Sequence, residues 1–245
     1  MKDFSLEKNY VKIRDGQTLS YGGSQTWFRK DRAYRDRLLR TGGCRLLRTG
    51  GCGLIASADF LLYYCKKNQL MPVELKELLQ DDLPELPDYL AFIRRSSSLF
   101  RYPVFPKIGS FSFEVLRFVN RFLKKYQRKE RLKFLFLNTK KRRNAAIRHA
   151  FLSGYPLILI IGQRFFRPFS KKGVSFYRDT GTHFVLAHPD VRSHFVTITG
   201  TKTRNGRNWY EITSWGQKYY IEEKDLQRYM NRISAPWISS IFYLD

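Results

Sequence analysis

The apolar positions change period once along the chain, near Gly154. Before that point the pattern is helical. In CGLIASADFLLYYCKK, residues 52–67, Leu54, Ile55, Ala58, Leu61, Leu62 and Cys65 follow i, i+3, i+4, i+7 spacing. That spacing predicts a helix with one apolar stripe to bury. Residues 72–96 are locally acidic and predict helical pieces broken by Pro84 and Pro87. Residues 112–130 predict an amphipathic helix, with Phe113, Leu116, Val119, Asn120 and Leu123 on one side. Arg117, Arg121, Lys124, Lys125 and Arg128 crowd its other sides. A further helix is expected over 139–153.

After Gly154 the pattern shortens. LILII at 157–161 is an apolar run of the kind a buried strand shows. HFVTIT at 194–199, NWYEIT at 208–213 and KYYI at 218–221 alternate or are rich in β-branched and aromatic residues. Asn205-Gly206 is a hairpin signal between the first two. A short helix over 222–231 and a last strand over 238–244 complete the reading. Helices followed by antiparallel strands predict an α+β fold.

Composition narrows this picture. A chain of 245 residues, 43% hydrophobic and 16% aromatic, can bury a sizeable core as one domain, 1–245. Its formal charge of +24 draws it toward anionic partners, without choosing among nucleic acid, acidic polymers and anionic lipid. Half of that excess lies in 117–148, which holds 13 Lys or Arg and one acid, Glu130. Tyr126, Phe134 and Phe136 lie nearby, so this stretch can serve nucleic-acid backbone binding with stacking. It can equally recruit an acidic protein partner, or act only as a solvated face.

The longest apolar run, Tyr155 to Gly162, is far short of the roughly 20 residues that a membrane helix needs. The polar N-terminus shows no apolar signal segment. The chain reads as soluble and cytoplasmic. Three cysteines, Cys44, Cys52 and Cys65, do not make a disulfide framework. No C-x-x-C, H-E-x-x-H, GKS or GKT occurs, so no metal or cofactor is expected.

One stretch carries candidate chemistry. RLLRTGGC occurs twice in tandem, at 37–44 and 45–52, and only the second copy runs into a helix pattern. Cys52 therefore stands at a helix start, where the helix dipole favours a thiolate and free amides face a substrate. The alternative is a small residue buried at a helix start. Of the four histidines, His149 sits in a basic helix, and His183 and His188 flank FVLA. His194 opens a strand and shares the face of Val196 and Ile198, which suits a general base or a hydrogen-bonded structural histidine.

These residues resemble a papain-like cysteine peptidase, in particular the bacterial group around bacteriocin-processing peptidases. Four pieces occur in that family's chain order. They are Gln25 in GGSQTWF, Cys-Gly opening a long helix, the helix and strand of IRHAFLSGYPLILIIG, and His opening HFVTITG before a hairpin to SWG. The resemblance spans roughly 20–66 and 139–245, and leaves 67–138 as a basic helical insert. It implies Cys52 as nucleophile, His194 as base and Gln25 as side-chain oxyanion donor. It places Thr213 where the family has an Asn or Asp to orient the histidine.

Two departures follow. Thr213 brings no charge to stabilise an imidazolium, which leaves Ser214, a backbone carbonyl or an acid from elsewhere as other orienters. The duplication stretches the Gln25 to Cys52 separation to 27 residues. Trp215 is either a cover over the histidine or an aromatic packed at a hairpin end. The resemblance implies a thiol-dependent peptidase. The competing expectation is a non-catalytic module of the same fold that binds through its basic face.

Overall fold

The computed structural model describes residues 3–29, 51–81, 83–99, 102, 110–135, 139–162, 173–231 and 238–245. Cys44 and the first copy of the duplication lie outside them, as does Phe136. In chain order the elements are strands β1 (Phe4–Ser5), β2 (Lys12–Asp15) and β3 (Thr18–Tyr21), a 3-10 turn (Gln25–Arg29), and helices α1 (Cys52–Lys67), α2 (Lys76–Gln80), α3 (Leu86–Leu99) and α4 (Ser112–Lys125). Then come β4 (Leu132–Phe134), α5 (Lys140–Leu152), β5 (Leu157–Ile161), β6 (Val174–Asp179), β7 (Phe184–Val191), β8 (His194–Arg204), β9 (Arg207–Ser214), β10 (Gln217–Glu222), α6 (Glu223–Asn231) and β11 (Ser240–Leu244). The fold is α+β. Contacts divide the chain into two compact units.

The helical unit comprises Tyr10–Arg131 with Trp215–Gln217. Every residue of α1 from Cys52 to Cys65 is buried, not only the predicted stripe. The reason is that α2, α3 and α4 all pack on α1. A helix enclosed on all sides must be apolar on all sides, and only Ser57 and Asp59 break that rule. Ser57 turns its hydroxyl back to the Gly53 carbonyl at 2.7 Å.

Two expectations for this unit are corrected. Pro87 lies in the first turn of α3, where its missing N–H breaks no helical bond, so it opens a helix instead of interrupting one. The helix predicted over 112–130 ends at Lys125, and Gln127 takes a left-handed φ of 54°. Its buried face is Val115, Phe118, Val119, Phe122 and Leu123. Phe113, placed on the buried side by the pattern, is 56% exposed. Helices α3 and α4 come from the stretch read as an insert, and here they form walls around α1.

The sheet unit comprises Met1–Asn9, Leu132–Ser214 and Lys218–Asp245. Nine strands among the described residues run in the order β4-β11-β5-β8-β9-β10-β6-β7, with β1 added beside β8. All five residues of β5 are buried, as its unbroken apolar run requires. Its register against β8 runs from Leu157↔Ile198 to Ile161↔His194. At the β8–β9 turn Asn205 and Gly206 both take positive φ, 51° and 69°, the backbone of the expected two-residue hairpin. Helix α5 packs on β11, and α6 packs on β9 and β6. The pattern did not predict β1, β4 or the β6–β7 hairpin as sheet strands, because short or polar strands carry little period. Among the described residues no helix is long and apolar enough to cross a membrane.

Candidate functional site

In the helical unit, Gly51 caps α1 and Cys52 is its first residue. The Gly51 carbonyl already accepts from the Ile55 amide at 3.0 Å, so the helix begins without a side-chain cap. The first amides of such a helix have no partner within the helix, and that of Cys52 is among them. Cys52 is 7% exposed. Tyr102 is buried in the same unit, and its phenol is pushed above its usual range, first by burial and then by groups that include Cys52. Cys65, at the far end of α1, is a different thiol. Burial pushes it far above the usual range, so it stays protonated and inert.

Gln25 opens the 3-10 turn after β3. Its Oε1 is buried and has no hydrogen-bond partner among the described residues. The loop that carries it is tied to α1 by Asp59, two turns along from Cys52. Asp59 Oδ2 accepts from the Gly23 amide at 2.9 Å, and Oδ1 accepts from the Tyr89 hydroxyl at 2.6 Å. Burial pushes the Asp59 carboxyl up to about 7, against the pull of those two donors. Gly23 is fastened on its other side too, because its carbonyl accepts from the Gly216 amide at 3.0 Å. The Gly216 carbonyl in turn accepts from the Tyr21 amide at 2.8 Å. A Cβ on Gly23 would overlap the Tyr89 hydroxyl, so this position needs glycine for space. Trp215 and Gly216 both hold left-handed backbone, with φ of 51° and 74°.

Asp59 was missed by pattern reading, although a signal exists. It is the one acid inside the apolar run of α1. A carboxyl there must find donors in the interior.

In the sheet unit, His194 is the first residue of β8 and is buried. Its Nε2 lies 2.6 Å from the Ser214 Oγ. Thr213 pairs with Thr197 across the β8–β9 ladder. Thr197 is three residues from His194, so the pleat puts Thr213 on the opposite face of the sheet. Ser214, one residue on, falls on the face of His194. The hydroxyl that meets the imidazole is therefore that of Ser214, while the resemblance pointed to Thr213.

Aromatic rings close in around the histidine. Phe176 has its ring 6.5 Å from His194 and 5.9 Å from Tyr219, whose hydroxyl is 3.4 Å from His188 Nε2. Burial pushes His194 down to about 3, and the neighbouring His188 adds to the push. His194 is thus a neutral imidazole over the ordinary pH range. His149 and His183 are exposed, on α5 and at the β6–β7 turn.

The basic stretch 117–148 is not one uniform face. Lys125 pairs with Glu74, Arg128 with Glu130 and Lys133 with Asp245. In KKRR, Lys140, Lys141 and Arg142 are exposed while Arg143 is fully buried. Among the described residues no group of three or more His, Cys, Asp or Glu stands ready to hold a metal ion. No protein-family model matches the chain, and no curated protein matches it.

Proposed function

We propose that the protein is a thiol-dependent peptidase of papain-like fold, hydrolysing amide bonds through a Cys-His acyl-enzyme mechanism. The observation that carries this reading is Cys52 as the first residue of α1, directly behind a glycine cap. Cys52 Sγ attacks the carbonyl carbon, and His194 takes the thiol proton. The carbonyl oxygen becomes an oxyanion that accepts from the Cys52 amide and the Gln25 side chain. The C–N bond then breaks, and His194 returns the proton to the amine that leaves. Water hydrolyses the thioester with His194 as base.

Ser214 takes the orienting role in this reading. Its hydroxyl engages Nε2, so Nδ1 is the nitrogen that handles the proton. A serine adds no negative charge to stabilise an imidazolium.

Iodoacetamide labelling between pH 4 and 9, with the modified cysteine identified by peptide mass, tests the reading. Cys52 is expected to label faster than Cys65 throughout, and His194→Ala is expected to remove the difference. Equal, slow labelling of both would defeat the enzyme reading.

The exposed first turn of α5, with Lys140, Lys141 and Arg142 and no acid, favours a second reading as a binding module for an anionic partner. That reading requires salt-sensitive binding of a single-stranded oligonucleotide that Cys52→Ser leaves unchanged.

A further inference from the structure

Gly23 is bonded at both its amide and its carbonyl, and two residues later the chain reaches Gln25. The amide bond goes to a carboxyl that sits on the same helix as Cys52. That carboxyl is itself gripped by Tyr89, which reaches in from α3. Tyr89 also packs edge-on against Trp27, in the 3-10 turn that Gln25 opens, with ring centroids 6.0 Å apart. Three separate stretches therefore meet at one buried acid: the loop of Gln25, the helix of Cys52, and α3. The space is filled to the point that Gly23 has no room for a Cβ.

A buried acid is a costly way to hold a loop if any apolar contact would do. What a carboxylate provides and an apolar side chain lacks is direction. Two oxygens fix two donors at defined distances from one helix. A loop held this way is positioned relative to α1 and not merely packed near it.

We infer that Asp59 is a positioning residue that, by gripping the Gly23 amide beside the Tyr89 hydroxyl, sets the placement of the Gln25 loop against the Cys52 helix. The inference rests on the peptidase reading for its effect on chemistry, but the grip itself can be measured without it. Acylation of Cys52 by p-nitrophenyl acetate passes through an oxyanion, with the S–C bond formed and p-nitrophenolate expelled. Alkylation by iodoacetamide displaces iodide at a saturated carbon and forms no oxyanion. A loop that serves the oxyanion influences the first reaction and not the second.

The test uses the full chain. Asp59→Leu is expected to slow acylation tenfold or more and to leave alkylation within about twofold, by analogy with loss of an oxyanion donor. Asp59→Asn, which keeps an acceptor for the Gly23 amide, is expected to restore acylation to within about threefold of the parent. In a Gln25→Ala background, Asp59→Leu is expected to add nothing further. Equal slowing of both reactions, or an undiminished effect in the Gln25→Ala background, would overturn the inference.

If Asp59→Leu does not fold, Tyr89→Phe removes one hydroxyl and carries the same comparison. Amide hydrogen exchange at Gly23 separates the two ideas. Faster exchange in Asp59→Leu or Tyr89→Phe, in a protein that p-nitrophenyl acetate never acylates, would sustain the grip and sink the peptidase reading. Unchanged exchange would sink the grip.

Discussion

Asp59 in the helical unit and His194 in the sheet unit are both buried ionisable side chains, and burial moves their proton affinities in opposite directions. Asp59 in the helical unit has two donors aimed at it and still rises to about 7. His194 in the sheet unit has a hydroxyl and falls to about 3. In both, burial outweighs the local partners and shifts the group toward its uncharged form. The lesson is that burial, and not the local hydrogen bonds, decides the direction in which each group moves.

The most severe way to test this contrast is to delete one member. His194→Ala is expected to slow acylation of Cys52 by about 10²–10⁴-fold, the range for losing a general base, read from p-nitrophenolate release. A variant as fast as the parent would leave the sheet unit without a role in the reaction.

Next in size is the response of stability to pH. Moving the Asp59 carboxyl from 3.8 to about 7 corresponds to about 4 kcal/mol. The folded state keeps a proton that the unfolded chain loses, so that stability is full below 3.8 and drains away as pH rises through 7. Moving His194 from 6.5 to about 3 corresponds to about 5 kcal/mol of opposite sense. The unfolded chain takes up a proton that the folded state refuses, so stability is full above 6.5 and is lost as pH falls toward 3. Between about pH 4 and 6.5 the two slopes nearly cancel. Urea midpoints are expected to rise with pH across that window in Asp59→Asn. In His194→Gln they are expected to fall. Parallel profiles in the two variants would show that the pair does not oppose.

A smaller effect sharpens the contrast by adding a charge. Ser214→Asp places a carboxylate on Nε2, which raises the affinity of His194 for a proton. The pH profile of Cys52 alkylation is then expected to move to the acid side by about one unit or more. Smallest of all, Thr213→Asn is expected to be tolerated, and Cys44→Ala to retain most acylation activity. A Cys44→Ala variant that loses activity would move the nucleophile to the other copy of the duplication.

Much of the fold was legible because period and turn chemistry agreed. α1 and β5 carry long apolar runs, and Asn205-Gly206 marks its own hairpin. The face of α4 was not legible, because Phe113 and Phe118 look alike in a pattern and only the neighbours of α4 decide which is covered. Pro87 was misread because the same ring that breaks a helix interior suits a first turn. At the site, Cys52 and His194 stand out as residue types at element starts. Ser214 does not, since choosing between it and Thr213 needs the register of β9 against β8. Asp59 was hidden by its surroundings, because periodicity counts apolar positions and passes over the acid between them.

The turn after Ser214 has a consequence for how this chain would drift under selection. Two successive left-handed residues are the preference of Asn-Gly, as at 205–206, yet 215–216 is Trp-Gly. An indole in that conformation costs roughly 1–2 kcal/mol over what a glycine or asparagine would ask. Lineages under pressure for robustness alone would shed the tryptophan early. Its persistence alongside Gly216 would then mark the lineages in which this corner of the molecule still has work to do.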